Sequence, residues 1–505
     1  MTERTPETRE SGKEIRMLQA VLAVLWTGVF PVACDFTYAH ITAAKWIVTL
    51  ALTVLTVLIA SACMMARRPA FDRRIDAAAG ALLGIMALST LCWTFYGAGE
   101  AGYDASRVLS GARYEGMGAW LCYICVFFCL SLYPPRMGWA SAGAAASLLV
   151  QIGVIILQYA GLNPLGLYPK GRSVFTNYEF QGTIGNIDML AGYLSVAVPL
   201  CVLPWLTAGG RKRIPMAAAG LGGVLLALCT GVQAGYVATA VMLLAVLYLM
   251  LTRPETRSRG LALIAGAALC AWVRAGLRFP WLAETEAGHV TFAPPSAGLS
   301  AALLGFAVLC AAGAWLMRLR RFPAMPRRAA IALLAGLLVL ALAAAAVLPV
   351  PESLGGLWEL HEILRGRAKP SFGSERIGIW QAALGLTLRH PLLGIGFGNF
   401  QEQSKLWLAE HGIALRQSFD NPHNIFLDIA VHAGVPALLC FLGLVALLLL
   451  RCRERGRRGL IVGVCLLCWL AQGMFTFSIC IVSPMVWAVL GMGAAGEPGK
   501  EKARV

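Results

Sequence analysis

A short polar segment near residue 420 carries the residue types best suited to chemistry. It reads Asp420-Asn421-Pro422-His423-Asn424 and directly precedes an apolar run. A histidine changes charge near neutral pH and can take a proton from a hydroxyl, which makes His423 a candidate general base. The alternative is a histidine that only forms a hydrogen bond where a helix begins.

The same segment predicts the start of a helix. Asn421 is a good N-cap and Pro422 a good first residue, so the predicted helix runs from here to Ala433 and ends at Gly434. His423 would then lie in the first turn, where the helix dipole disfavours a positively charged imidazole. A neutral ring would be ready to accept a proton.

An arginine opens a second predicted helix upstream. Apolar residues spaced i, i+3, i+4 and i+7 predict a helix from Glu375 to about Arg389, and Pro391 stops it. The guanidinium of Arg376, at the start of this helix, suits bidentate contact with phosphate oxygens. The alternative is a surface arginine paired with Glu375 or with a lipid headgroup.

Three glycines at alternate positions follow this second helix. Gly394, Gly396 and Gly398 permit tight turns or the close approach of a ligand to the backbone. A phosphate-binding loop is only weakly indicated, because no strand precedes the glycines and no Lys-Ser/Thr follows them. A glycine-rich turn that re-enters the protein is equally consistent with the pattern.

The composition indicates what kind of scaffold positions these residues. Of 505 residues, 58% are hydrophobic and only 13% are charged, against roughly 25% charged in a soluble domain. Apolar runs of about 20 residues recur along the chain, and each can cross a bilayer as a helix. The prediction is an all-α, polytopic transmembrane bundle with a large helical extracytoplasmic loop and about 14 spans: 17–33, 45–65, 77–96, 115–134, 137–160, 188–207, 215–232, 234–251, 260–279, 297–317, 329–349, 434–450, 459–481 and 483–496.

The distribution of lysine and arginine orients this bundle. With the N-terminus inside, the inside segments hold 28 of the 42 basic residues and 10 of the 26 acidic residues. Because an excess of Lys and Arg marks the cytoplasmic side, the protein is predicted to lie in the cytoplasmic (inner) membrane with both termini in the cytoplasm. The predicted division is a cytoplasmic tail at 1–16, N-terminal spans at 17–160, central spans at 161–350 with an extra hairpin at 260–317, an extracytoplasmic catalytic loop at 351–433, C-terminal spans at 434–496 and a tail at 497–505.

Other outside loops carry further candidate cations. The loop at 97–114 contains Arg113, and the loop at 161–187 contains Lys170 and Arg172. Either cation of the second loop could share an anionic ligand with a site in the larger loop.

No cofactor, metal or nucleic acid is expected. The 15 cysteines lie in or beside apolar spans, so neither a disulfide framework nor a metal site is indicated. The pI of about 9.4 follows from the Lys/Arg bias of the inside segments. Membrane lipids are therefore the expected neighbours of the basic residues.

Four stretches of this chain occur in an order that has a counterpart in a known family. They are Gly182-Thr-Ile-Gly-Asn186, Arg376-Ile-Gly-Ile-Trp380, His390-Pro-Leu-Leu-Gly-Ile-Gly-Phe-Gly-Asn-Phe400, and His423-Asn424 followed by nine residues and Gly434. Chiefly over residues 180–490, the chain resembles the O-antigen ligase and polymerase family of bacterial envelope-glycan enzymes.

The resemblance implies a metal-independent, inverting transfer of an oligo- or polysaccharide. The donor would be a polyprenyl-diphosphate carrier, and the acceptor a hydroxyl of a glycan, lipid or protein. His423 would be the base, and Arg376 would bind the donor diphosphate with Arg172 and Lys170. Four further residues would support the site: Asn186, Gly396, Gly398 and Asn424.

The chain departs from the family pattern in two respects. Where the family often has Thr-x-Ser-Arg at an outer turn, this chain has Thr230-Gly-Val-Gln233. If that arginine normally holds donor phosphate, another cation must replace it, and Arg172 is the candidate. Family members also tend to have fewer spans, so the hairpin at 260–317 would be an insertion.

Two other classes of protein fit part of the pattern. A transporter or flippase of lipid-linked glycan would place polar groups near the middle of the membrane, where only Arg274 and Arg278 come near. A carboxylate-dependent membrane glycosyltransferase would use Glu375 or Asp420 as its base, and His423 would then be dispensable.

Overall fold

Helices form nearly all of the ordered structure of this chain. The computed structural model describes residues 6–66, 72–97, 111, 113–169, 172–176, 178–280, 289–319 and 322–494. The helices of these ranges are α1 Pro6–Val24, which continues through a π-helical turn at Leu25–Val29, α2 Phe30–Val32, α3 Ile41–Ala66, α4 Arg73–Tyr96, α5 Met117–Leu132, α6 Met137–Tyr159, α7 Ile187–Ala208, α8 Ile214–Thr230, α9 Gln233–Thr252, α10 Arg257–Gly276, α11 Ala297–Leu319, α12 Arg327–Val347, α13 Gly356–Leu364, α14 Arg376–Arg389, α15 Phe400–Glu410, α16 Ile425–Glu454, α17 Gly456–Gly473 and α18 Ser483–Ala494.

The predicted class, an all-α polytopic membrane bundle, is confirmed. In the described ranges, 11 helical segments are long and apolar enough to cross a membrane, and α5 and α18 are shorter apolar helices. Each of the predicted runs lies on a helix. One run was drawn too long, because α17 ends at Gly473 and residues 474–482 turn back before α18 begins.

The bundle is built around α7. Of its most apolar stretch, 94% is buried, against 6% for α12 at the periphery. Helix α7 packs against α6, α8, α9 and α17, while α18 packs on α5 and α16 on α4. Lipid is as apolar as these side chains, so close packing rather than the exclusion of water holds such helices together. The central position of α7 places its N-terminus beside the 420–424 turn and the segment that follows α17.

Two short antiparallel hairpins lie in the connections between helices, one before α7 and one between α10 and α11. Strand β1 (Phe180–Gln181) pairs with β2 (Gly185–Asn186), placing Phe180 opposite Asn186. Strand β3 (Leu277–Arg278) pairs with β4 (Thr291–Phe292). The first hairpin is clamped by buried side chains, since Gln151 accepts from the Thr183 N–H at 2.9 Å and Gln158 from the Gly182 N–H at 2.8 Å.

The polar segment after α12, residues 351–423, folds into a small helical layer with its own core. The predicted helix at 375–389 is confirmed as α14. Its stripe of Ile379, Ala382, Ala383 and Leu386 is buried against apolar side chains of α15 and against Val431 of α16. This packing explains why α14 has a fixed place relative to α16.

The helix predicted to start at Asn421 begins later. Its N-cap is Asn424, whose side chain accepts from the N–H groups of Phe426 and Leu427, and α16 starts at Ile425. The Asn421 side chain instead accepts from the His423 N–H at 3.1 Å, closing a tight turn. Both asparagines are good caps, and this turn decides between them. The predicted break at Gly434 is confirmed by its φ of 86°, although helical structure resumes beyond it.

The orientation is open to a direct test. We expect a cysteine at Ala414, an exposed position in the polar segment, to be labelled by an impermeant thiol reagent in intact cells or protoplasts. A cysteine at Lys212, exposed in the turn between α7 and α8, should be labelled only after lysis. The unsubstituted protein gives the background from its own cysteines. The opposite pattern would overturn both the orientation and the placement of the site.

Candidate active site

The turn at 420–424 holds His423 in an unusual backbone conformation. His423 has a φ of 50°, in the left-handed region that side chains with a Cβ seldom adopt. Such conformations persist only where the surroundings enforce them, and they concentrate at functional sites. The turn therefore aims the imidazole in a direction that a regular first helical turn would not give.

The hydrogen bonds of the turn define which ring nitrogen of His423 carries the proton. Its Nδ1 lies 3.2 Å from the carbonyl oxygen of Asn421. Because a carbonyl oxygen only accepts, Nδ1 must be the protonated nitrogen of the neutral ring. The lone pair is then on Nε2, on the side away from the turn. Phe419 and Phe477 flank the ring in edge-to-face arrangements, with centroids 5.5 and 5.3 Å away.

The surroundings of His423 favour the neutral ring. Burial lowers the pKa of His423 below its usual value, and the positive charge of Arg376 lowers it further. The Asn421 carbonyl and the carboxylates of Asp188 and Asp420 act in the opposite direction but do not prevail. Neutrality was predicted from a position inside the helix, and that reason was wrong. Burial and Arg376 provide it instead.

Helix α14 brings Arg376 to the same turn. Trp380, one helical turn after Arg376 and on the same face, donates its indole N–H to the Pro422 carbonyl at 2.9 Å. The Trp380 ring also packs at 6.2 Å from Phe475, in the segment between α17 and α18. Arg376 is thus held beside the turn that carries His423, as its effect on that imidazole also indicates.

The guanidinium of Arg376 has hydrogen-bonding capacity to spare. One terminal nitrogen, Nη1, donates to the Gly373 carbonyl at 3.0 Å. Its Nε is buried and has no hydrogen-bond partner among the described residues. A buried donor without a partner costs roughly 1–3 kcal/mol, so an acceptor at this position would be strongly favoured. Phosphate oxygens are such acceptors.

The glycine run packs against the break in α16. The N–H groups of Ile395 and Gly396 donate to the carbonyls of Val431 and His432 at 2.8 and 3.1 Å. A Cβ at Gly434 would come within 2.3 Å of the Leu392 carbonyl oxygen. Of the two sequence interpretations, the re-entering turn describes this geometry, because the glycines let two backbones touch. Gly396 and Gly398 have φ values of 73° and 80°, a conformation that glycine adopts without strain.

The remaining predicted residues lie at different distances from this centre. Asn186 caps α7 by accepting from the N–H of Asp188 at 2.8 Å, and Asn424 caps α16, so both fix helices that border the site. Arg172 is exposed, and its own N–H donates to the Pro169 carbonyl. Lys170 lies outside the described residues.

Sequence reasoning missed the roles of three residues that surround the turn. Asp188 in the first turn of α7 and Phe477 after α17 both act on His423. The third is Arg113, whose Nε is 2.5 Å from Asp420 Oδ2. Phe477 was assigned to a membrane span, and nothing in its neighbourhood signals otherwise. Asp188 lies two residues after the quoted Gly182–Asn186 stretch, which was the available signal.

Both carboxylates that could replace His423 as a base are already engaged. Glu375, with a left-handed φ of 69°, accepts from the Arg416 N–H at 2.7 Å and is only 8% exposed. Asp420 is bound by Arg113 and by the Asn421 side-chain amide at 2.6 Å. Each therefore serves a structural contact.

Comparison with known families identifies the class of this protein. Residues 290–442 match the family model described as O-antigen ligase. The matched region contains α11, α12, the whole polar segment with Arg376 and His423, and the first part of α16. No curated protein matches the chain.

The chain therefore carries an O-antigen ligase domain, and the predicted resemblance is confirmed. It is a multi-pass membrane protein of polysaccharide biosynthesis, with a glycosyltransferase-like function of the ligase or polymerase type.

Proposed function

We propose that this protein transfers a glycan from a polyprenyl-diphosphate carrier to an acceptor hydroxyl at the outer face of the cytoplasmic membrane. The observation that carries the proposal is the pairing of two unsatisfied groups at one turn. His423 presents an unprotonated Nε2, and Arg376 presents a buried Nε without a partner among the described residues. One can take a proton, and the other can bind an anion.

These two groups account for the proton that the acceptor loses and for the charge of the leaving group. The acceptor oxygen attacks the anomeric carbon, and its proton passes to Nε2 of His423. The bond between the anomeric carbon and the phosphate oxygen breaks, and the polyprenyl diphosphate leaves with the electron pair. Arg376 stabilises the negative charge that develops on that leaving group. Direct in-line attack inverts the anomeric centre, and no metal takes part in these steps.

The cation that accompanies Arg376 is proposed to come from the loop before α7. Arg172 and Lys170 belong to this loop, whose other end leads through Asn186 into α7. Gln233, at the position where the family often has arginine, lies against the start of α13, since a Cβ at Gly356 would come within 2.2 Å of its Nε2. Gln233 is neutral, so the second charge must come from elsewhere.

The observed contacts disfavour the transporter. Arg274 Nε donates to the Leu228 carbonyl at 3.1 Å and its guanidinium lies 4.8 Å from the Phe279 ring centroid. Arg278 donates to the Ala275 carbonyl at 2.7 Å. Arg274 thus binds a carbonyl near the C-terminal end of α8 and Arg278 one at the C-terminal end of α10, where a cation complements the free carbonyls of the last turn. Neither geometry resembles a substrate site near the membrane centre.

A reconstituted transfer assay tests the proposal. Purified protein in detergent, given a polyprenyl-diphosphate-linked oligosaccharide and a glycan acceptor, should form product in the presence of EDTA. Mass spectrometry should show the acceptor extended and free polyprenyl diphosphate released in equal amount. The same protein reconstituted in lipid vesicles provides the alternative outcome. If it moves donor across the vesicle membrane without consuming it, the protein is a flippase. Product that appears only with added divalent metal would contradict the metal-independent chemistry.

A further inference from the structure

Asn421 makes two hydrogen-bond contacts with His423 that hold its conformation. The Asn421 side-chain oxygen accepts from the His423 N–H at 3.1 Å, and its backbone oxygen lies 3.2 Å from His423 Nδ1. Asn421 is itself 1% exposed. Both the left-handed backbone and the proton on Nδ1 therefore require Asn421 to stay in one orientation.

Asn421 is in turn held by an ion pair that crosses between two loops. Its side-chain N–H group donates to Asp420 Oδ1 at 2.6 Å, and the other oxygen of Asp420 is 2.5 Å from Arg113 Nε. Asp420 is largely covered, with 13% of its side chain exposed, whereas Arg113 is 54% exposed. An aspartate with each oxygen bound to a different partner has one preferred orientation. Because the Asn421 side chain donates to this fixed carboxylate, it is held in one orientation as well.

Arg113 is anchored to the bundle at its backbone. Its N–H donates at 2.6 Å to a carboxylate oxygen of Glu115, which is 5% exposed. This short segment leads directly into α5 at Met117. A continuous series of contacts thus runs from α5 through Arg113, Asp420 and Asn421 to the imidazole.

We propose that Arg113 is a positioning residue that sets the orientation and proton affinity of His423 through Asp420 and Asn421. The inference rests on the proposed function and adds a residue from the first outside loop to its site. Arg113 has two effects in this arrangement. It fixes the turn, and it neutralises a carboxylate that would otherwise stabilise the imidazolium.

The second effect gives a readout that a purely structural contact would not move. The charged groups acting on His423 are Arg376, Asp188 and Asp420. Removing the charge of Arg113 leaves Asp420 unneutralised, so the imidazolium is stabilised and the pKa of His423 rises. The acid limb of the kcat profile should therefore shift to higher pH in Arg113→Gln. In Asp420→Asn it should shift to lower pH.

Kinetics of the single and double variants complete the test. Since misplacing a catalytic group by about 1 Å can cost about 10²-fold, Arg113→Gln and Asp420→Asn should each lower kcat by about 10- to 100-fold, with little change in donor KM. The double variant should lose no more than the worse single variant, because both changes break one series of contacts. Arg113→Lys keeps the charge and should retain the wild-type pH profile.

Matched controls separate this inference from the proposed function. Arg389→Gln removes the exposed ion pair to Glu410, 2.7 Å long and also in the polar segment, and should leave kcat unchanged. Unchanged kcat and pH profile in Arg113→Gln, or fully additive losses, would overturn the role of Arg113 while leaving His423 as the base. Normal transfer by His423→Ala would instead overturn the role of His423 as the base, and an unsubstituted protein without transfer activity would overturn the proposed function. If Arg113→Gln fails to fold, the pH profiles of Arg113→Lys and Asp420→Asn decide the question.

Discussion

Replacing His423 by alanine is expected to lower glycan transfer by at least about 10²-fold, because general-base catalysis typically contributes 10²–10⁴-fold. The variant should still insert into the membrane and bind lipid-linked donor, since in the part of the chain that the structure describes the His423 ring contacts Phe419, Phe477 and the Asn421 carbonyl and anchors no helix. The measurement is product formation under single-turnover conditions, together with donor binding.

The pH dependence of the wild-type enzyme follows from the same residue. His423 works as a base only when its ring is neutral, so kcat should fall as the pH drops through the pKa of His423. Burial and Arg376 lower that pKa below the usual value of about 6.5. The acid limb should therefore lie below pH 6.5, and activity should be constant from there through neutral pH. His423→Ala should lose this limb.

His411 provides the matched control. It lies in the same polar segment and stacks on Trp407 at 3.8 Å, away from the turn. His411→Ala should retain most of the transfer activity. Should His423→Ala transfer normally while Glu375→Gln does not, the base is a carboxylate and the assignment of His423 is wrong.

Replacing Arg376 by lysine is expected to cost roughly 10²–10³-fold in kcat, the range typical of losing one preorganised donor to a developing negative charge. Lysine keeps the positive charge but lacks the buried Nε and the planar fork that can bind two phosphate oxygens at once. It also cannot reproduce both the donation to Gly373 and a contact to a ligand from one rigid group. Single-turnover rates with saturating donor measure this loss directly.

A nearby arginine separates the role of Arg376 from a general effect of charge. Arg367 pairs with Glu362 at 2.8 Å and is 54% exposed, so Arg367→Lys should behave like wild type. Arg172→Ala tests the proposed second cation and should weaken donor binding. Wild-type turnover in Arg376→Lys with unchanged donor affinity would rule out the phosphate clamp. If Arg172→Ala bound donor as well as wild type, only the proposal that Arg172 supplies the charge missing at Gln233 would be wrong.

The candidate catalytic residues could be identified from the sequence because charged and titratable residues are rare in such an apolar chain. A histidine and an arginine in a polar segment between membrane spans stand out against 13% charged residues. Helix α14 was also predictable, since its buried stripe follows the helical period. The glycine run left two interpretations open, because close approach to a ligand and close approach to another backbone require the same residue. Only the contact with α16 distinguishes them.

The sequence by itself determined the class of protein, the helical bundle and the segment in which the candidate site is proposed. These follow from hydropathy, charge distribution and local spacing, which are properties of neighbouring residues. The tertiary structure alone decided that α16 is capped by Asn424, that His423 adopts a left-handed backbone, and that Arg113 meets Asp420. The first two depend on which of two nearby asparagines closes the turn, and the third joins loops that lie far apart in the sequence, so no local periodicity encodes them. The surroundings of His423 therefore became visible only in the folded structure.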